Sequence, residues 1–452
     1  MTDLKDKLKL LKMKPESRSK SQAVQDAWSK IDKDGKITTR EKLEQLISLK
    51  RDKPEKPKPR PFEAQERESF QFTENPYNLD ARYGKISISE GLDISGDILA
   101  LLSQDPAFKE LDLSTALFFD LETTGLSGGT GVIPFNIGMG YYRDDKFWVA
   151  QYFLGELGEE EQMIQELSRF LADMNFKSVV TYNGKAFDMP LLETRFILYR
   201  TPLILSELPH LDFLFPARNL WKHKYESCRL FYLAREVLMT GRDEDIPSAE
   251  IPWRYFQYLK TGNFELIEPI LYHNAEDILS LLGVVIMGAS IFASDLEDGE
   301  VDAMDFFGAG KVLEKVGERE KAADYFQRAL NGSLSEEAGL STRKRLSLQY
   351  KKSQKWENAV LMWQQMAASQ TPSSDLLFSL RELAMYFEHK EKKLLEAQRY
   401  AEEGYVVARG FSSSYEKDFI HRRERLNQKI RKESEKNRAE SKATKQSQKK
   451  TS

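Results

Sequence analysis

Cysteine is nearly absent: Cys228 is the single thiol in 452 residues. That excludes an intrachain disulfide and any zinc site built from several cysteines. Long apolar runs are scarce too. One such run, Ile278 to Ala293, covers 16 residues and is broken by Ser280, Gly283 and Gly288. Crossing a bilayer as a helix takes about 20 apolar residues, so this stretch predicts a buried core helix. The first residues lack the apolar core and cleavage site of a secretory signal. These absences predict a soluble, cytoplasmic protein with no membrane contact.

The net charge of −4 hides strong segregation. Residues 1–60 hold 18 Lys and Arg against 10 Asp and Glu, and residues 421–452 hold 12 against 4. Both ends are therefore basic and the body between them is acidic. Basic arms suit contact with nucleic acid or acidic partners, and equally suit solvated tails.

Near the start, K-I-D-K-D-G-K-I-T-T-R-E (residues 30–41) is similar to a calcium loop at Asp32, Asp34, Gly35, Ile37 and Glu41. Lys30 stands at the first loop position, where calcium needs an oxygen ligand, so the stretch reads as a turn between short helices. The prolines at 54, 57, 59 and 61 mark an extended linker. Beyond it, residues 63–112 are polar with scattered aromatics. They contain one short helix near Ile98 to Ser103 and cover an edge of the domain that follows.

From Leu113 the pattern turns to strands and helices. Ala116–Phe119 reads as a buried strand. Ile133–Tyr142 and Lys146–Phe153 read as a hairpin around Arg143-Asp144-Asp145. Helical periodicity over Glu159–Met174, a strand at Ser178–Tyr182 and a helix from about Ala186 to Tyr199 complete a mixed α/β sheet flanked by helices. The glycines between Gly125 and Gly131 invite a phosphate-loop reading. That motif needs a helix directly afterwards, and the proline-containing strand that follows makes them a flexible rim instead.

The first strand carries the chemistry. Asp120 and Glu122 lie two apart, so they project to one face. Like charges that close call for a cation between them or a proton on one. Two further acids could complete a two-metal phosphodiester site. Asp188 follows the strand Ser178–Tyr182 where the chain turns into a helix, a place that equally suits an ordinary helix-start residue. Asp277 lies four after His273, on one helix face, which equally suits a surface His–Asp pair. An all-oxygen set favours magnesium or manganese, and an imidazole beside it can serve as general base. Asp212, in P-H-L-D, reads as a turn or cap.

The order D-x-E, N-x-x-x-F-D, H-x-x-x-D resembles the DEDD superfamily of 3′–5′ exonucleases, which have a ribonuclease H-like fold. F-F-D-L-E-T-T-G-L-S-G-G-T-G, T-Y-N-G-K-A-F-D-M-P-L-L, H-L-D-F-L-F-P-A-R-N-L-W and Y-H-N-A-E-D-I-L-S-L are similar throughout to YprB-like proteins, a ribonuclease H-like domain followed by tetratricopeptide repeats. The similarity spans residues 85–410. It implies that Asp120, Glu122, Asp188 and Asp277 hold two divalent cations, Mg2+ or Mn2+. In the superfamily's His-type branch the base lies five residues before the last Asp, where Tyr272 stands. In its Tyr-type branch it lies four before, where His273 stands. An ordinary pKa near 6.5 against about 10 favours His273. Candidate contacts to single-stranded RNA or DNA are Thr123, Asn183, Phe187, Arg218 and Lys222. The last two belong to a basic stretch with His223 and Lys224, flanked by Trp221 and Tyr225, which suits phosphate contact and base stacking and equally suits a solvated helix face.

Residues 303–410 repeat a small-large-small pattern at Ala322, Phe326 and Ala329, at Ala359, Trp363 and Met366, and at Ala397, Ala401 and Gly404. Copies 37 and 38 residues apart are a little longer than the roughly 34 of tetratricopeptide repeats. Three helix pairs of this kind can stack into a curved surface for a protein partner, or serve as a packing module that only stabilises the domain before them. The expected organisation is a basic, largely disordered arm and linker (1–62), a cover segment (63–112), a ribonuclease H-like domain (113–293), all-α repeats (300–411) and a basic tail (412–452). The expected function is metal-dependent 3′–5′ exonuclease hydrolysis. The alternative is a scaffold that binds nucleic acid or protein without cutting.

Overall fold

The computed structural model describes residues 70–125, 131–241, 246–293, 301–369 and 371–450, with side chains up to residue 437. The basic arm with its calcium-loop-like stretch and linker, the middle of the glycine-rich segment and the end of the tail lie outside these residues. In chain order the strands are β1 (Phe70–Asn78), β2 (Arg82–Tyr83), β3 (Ile86–Ser87), β4 (Ala116–Thr123), β5 (Pro134–Arg143), β6 (Lys146–Leu154), β7 (Ser178–Thr181) and β8 (His210–Asp212). Six of them form one sheet in the order β1-β6-β5-β4-β7-β8, while β2 and β3 make a separate ribbon. Pairing is antiparallel from β1 to β4 and parallel from β4 through β7 to β8.

The β5–β6 hairpin turns on Asp144 and Asp145, which both have positive φ (52° and 55°), between the paired Arg143 and Lys146. A two-residue turn with both residues left-handed matches the natural twist of the strands it joins. Strand β1 makes the polar segment after the linker an integral edge of the sheet. Its sequence, F-Q-F-T-E-N-P-Y-N, lacks clean alternation. It also holds Pro76, which an edge strand tolerates because one row of its backbone groups faces away from the ladder.

The sheet has two covered faces, and β4 feeds both. Ala116 and Phe118 enter one core, Leu117, Phe119 and Leu121 the other. The second core is closed by α2 (Glu160–Met174) through Met163, Ile164, Leu167 and Leu171, with α3 (Asp188–Leu198) beside it. Glu160 at the start of α2 is buried against Arg195 of α3 in an ion pair, and Tyr199 donates to it at 2.7 Å. A buried pair of this kind is costly to break at one end only, so it holds α3 to α2.

The Phe118 face, which also carries Asp120 and Glu122, lies under the long helix α7 (Glu268–Ser290). By length and composition the stretch Phe264–Ser290 could cross a membrane, yet 61% of its apolar window is buried within the protein. It is the core helix of this face. On its outer side, Tyr83 of β2 bonds Glu276 Oε2 and Ser280 Oγ, both at 2.9 Å. On its inner side the helix approaches β5 at Gly138, the cross-strand partner of Asp120. A Cβ built there would lie 2.1 Å from Asn274 Oδ1. Gly138→Ala is therefore expected to displace Asn274 and cost about 1–3 kcal/mol, read as a lowered denaturation midpoint with unchanged slope.

After α7 come three helix pairs: α8 (Ala303–Val316) with α9 (Arg319–Leu330), α10 (Glu336–Lys352) with α11 (Trp356–Ala367), and α12 (Ser374–His389) with α13 (Leu394–Ala408). The repeated small and large residues Ala322, Phe326, Ala329, Ala359, Trp363, Met366, Ala397 and Ala401 are all buried between them. A last helix, α14 (Ser413–Lys450), packs on α13 with Phe419 and Leu426 inward. Buried Glu388 of α12 accepts from Arg425 and Lys429 of α14, the latter at 2.7 Å.

Candidate active site

Three elements deliver the acids. Strand β4 brings Asp120 and Glu122, and a bulge between Glu122 and Thr123 ends its pairing with β5. Helix α3 brings Asp188 as its first residue, where backbone N–H groups of Asp188 itself and of Leu121 donate to the carboxylate. Helix α7 brings His273 and Asp277 one turn apart. All five line one cleft of about 470 Å3, together with Thr123 and Phe187. Among the described residues, no Lys or Arg lines it.

Within the cleft the tightest grouping is Glu122, His273 and Asp277, whose ligand atoms lie within 4.8 Å of one another. His273 Nε2 is 3.9 Å from Glu122 Oε1 and 3.6 Å from Asp277 Oδ2. Tyr272 does not line the cleft and is 67% exposed. Phe187 is 57% exposed at the rim, with a free aromatic face.

Two buried residues that the sequence reading missed hold Asp120. Asn274 Nδ2 donates to Asp120 Oδ2 at 2.9 Å, and Gln151 Nε2 donates to Asn274 Oδ1 at 2.9 Å and to the Leu271 carbonyl at 2.8 Å. The glutamine thus fixes which end of the Asn274 amide faces the acid. The one available signal was a glutamine inside the otherwise apolar second half of β6. Asp212 likewise acts on the loop before Asp188. Its buried carboxylate accepts from the backbone N–H groups of Asn183 (2.7 Å), Lys185 (3.2 Å) and Leu214 (3.1 Å).

The remaining sequence candidates fall elsewhere. Asn183 and Arg218 line a second cleft, with Tyr182 and Cys228, and exposed Lys222 lines neither. The basic-aromatic reading of this stretch needs correction at two residues. Trp221 is only 2% exposed and packs in the core, so it has no face for a base. Lys224 is neutralised by Asp305 at 2.7 Å and Asp302 at 3.5 Å.

Burial raises the Asp120 carboxyl well above the usual range, and the charges of Asp188, Asp277 and Glu122 raise it further, while the Asn274 bond opposes. Burial, helped by the Asp212 charge, pushes Asp188 up to about 7 against its backbone bonds. An oxygen set of four carboxylates, joined by one imidazole, fits a hard divalent cation. A stability effect follows. Between its ordinary value of 3.8 and about 7, Asp188 is protonated in the folded chain and ionised in the unfolded one. Metal-free stability therefore falls as pH rises through that window. In chelator, Tm is expected to drop by roughly 5 °C between pH 5 and pH 8; magnesium at pH 8 recovers most of it, and Asp188→Asn flattens the profile.

Comparison with known proteins agrees with this fold. A family model described as the RNase_H superfamily matches residues 117–287. The protein YprB of Bacillus subtilis (strain 168) is 34% identical over 333 residues, which is 72% of this chain and 78% of that protein. Among solved structures, the family B DNA polymerase from the hyperthermophilic archaeon Pyrobaculum calidifontis aligns at a TM-score of 0.33 and 14% identity, over 53% of this chain and 29% of the polymerase. The match spans less than a third of the polymerase chain. On the sequence match to YprB, supported by the family model, this chain belongs to the YprB family and carries a domain of the RNase H superfamily.

Proposed function

We propose that the protein is a metal-dependent nuclease that removes nucleotides from the 3′ end of single-stranded RNA or DNA. The observation that carries this reading is the convergence of Asp120, Glu122, Asp188 and Asp277, from three separate elements, beside His273 in one cleft. The 3′–5′ direction rests on the motif order D-x-E, N-x-x-x-F-D, H-x-x-x-D.

Asp120, Glu122, Asp188 and Asp277 are the residues that would hold two Mg2+ or Mn2+ ions. When bound, such ions supply Lewis acidity at the phosphoryl group and acidify the attacking water. His273 accepts the proton of that water at Nε2, the nitrogen that faces Glu122 and Asp277. Asn274 and Gln151 keep Asp120 oriented, and Asp212 keeps the approach to Asp188 in place. Phe187 offers its exposed ring to the terminal base or sugar. The helix pairs are the surface for a protein partner, and α13 presents exposed Leu395 and Val406 there.

The test is release of mononucleotides from end-labelled single strands of RNA and DNA with magnesium or manganese. Time-dependent shortening from the 3′ end supports the reading; no turnover on any strand with either ion overturns it.

A further inference from the structure

Among the described residues no Lys or Arg lines the acid cleft, so a strand that extends beyond it would meet side-chain cations on neighbouring elements. Helix α4 (Leu214–Trp221) points to where. Arg218 and Lys222 are four apart, on one side of that helix and its C-terminal cap. Arg218 shares its cleft with Asn183, at the start of the loop that leads to Asp188. Just beyond Lys222, His223 lines a recess of about 120 Å3 against α8 and α10, together with Lys311, Arg345 and the ring of Phe307.

Two cations, Lys311 and Arg345, and one acid, Glu337, line this recess. Lys311 Nζ lies 2.7 Å from His223 Nε2, so the ammonium donates to a neutral imidazole and meets no carboxylate there. Burial lowers the Lys311 pKa, and the charges of Arg345 and Lys222 lower it further. Burial and the Lys311 charge likewise depress His223. Outside the lining Glu314 is ion-paired to Arg345, which leaves Lys311 and Glu337 as the other charges of the lining, with exposed Lys222 next to His223 in the chain. Lys224, in contrast, is fully paired to Asp302 and Asp305. Cations that repel one another in a half-buried recess are stabilised by an anion that takes two of them at once.

The seam that forms the recess is tight. A Cβ built on Gly308 of α8 would lie 2.2 Å from the Leu220 carbonyl oxygen of α4. The cations of α4 and those of the helix pairs therefore keep a fixed spacing.

We propose that Lys311, His223 and Lys222 form a backbone-phosphate site at the seam between the RNase H-like domain and the helix pairs, which holds the single strand beyond the acid cleft. Arg218 lies on the way between the two. The proposal rests on the nuclease reading for the direction of the strand. It makes the helix pairs part of the nucleic-acid surface.

The test uses the full chain without metal and a fluorescent 20-nucleotide single strand, with anisotropy read across a salt series. Lys311→Glu is expected to weaken binding about tenfold and to make the slope of log K against log salt shallower by about one. Lys311→Arg should retain the binding. Lys222→Ala, at an exposed position, should move affinity and slope the same way by about threefold, even where a reversed charge disturbs the seam. Unchanged affinity and slope in Lys311→Glu and Lys222→Ala overturn the site. Inorganic pyrophosphate that binds the wild type and is lost in Lys311→Glu, while strand binding persists, assigns the recess to free phosphates and also counts against the proposal. Wild-type hydrolysis of a small chromogenic phosphodiester with manganese reads the acid cleft alone. Its absence sinks the nuclease reading and leaves the strand measurement to decide the recess.

Discussion

Asp120→Asn is expected to abolish hydrolysis, with turnover down by about a thousandfold or more, while the metal-free protein becomes harder to unfold. The two effects share a cause. Asp120 is buried among Asp188, Asp277 and Glu122, and their charges all oppose its own. An amide of the same shape removes that repulsion and keeps the bulk that fills the space. It also removes a charge that cations need, and about 4 kcal/mol of lost transition-state stabilisation corresponds to the thousandfold effect. Thermal unfolding in chelator and turnover on a labelled strand read the two sides separately. A variant that keeps its turnover, or one that melts lower than the parent in chelator, contradicts the role given to Asp120.

His273→Ala should slow turnover by roughly a hundredfold or more, the usual scale for a lost general base, and Tyr272→Phe by less than about twofold. His273 Nε2 faces the acids at 3.6 and 3.9 Å, whereas the Tyr272 ring lies outside the cleft. Because His273 also sits within ligand distance of the same group, the measurement must separate proton transfer from cation binding. Turnover at saturating manganese does so: a base defect persists there, and a binding defect is recovered. A larger loss in Tyr272→Phe than in His273→Ala would move the base to the five-residue spacing.

Local patterns carried the parts of the fold that local physics governs. Alternation in A-L-F-F-D-L-E-T puts Asp120 and Glu122 on one face, and R-D-D-K marks a hairpin turn that only left-handed residues close. The sheet's edge was not legible, because β1 has a proline, little alternation and a partner about 75 residues away. Apolar run length also misjudged α7. Its first turns are polar on the side that faces the cleft, so the helix of 23 residues begins ten residues before the apolar run and ends at Ser290, three residues before the run does. Pairings between distant polar groups left no trace in composition. Gln151 meets Asn274 across more than 100 residues, and Lys224 meets its two aspartates across about 80. Nothing local to either stretch says whether its polar groups face solvent or one another. Asp188 and Asp277 stood out as a set only through the family's motif order, since each alone reads as an ordinary helix residue.

Helix α7 is gripped on opposite sides at nearly the same height. Asn274 reaches inward to Asp120, while Glu276 and Ser280 bond Tyr83 on the outside. Its rotational phase is therefore set from both sides at the turn that carries His273 and Asp277. One residue inserted between Asn274 and Glu276 would turn the two grips about 100° out of phase, so the inward and outward contacts could not both be kept. Substitutions around the site leave that phase intact, whereas a change of length inside this turn separates His273 and Asn274 from Asp277.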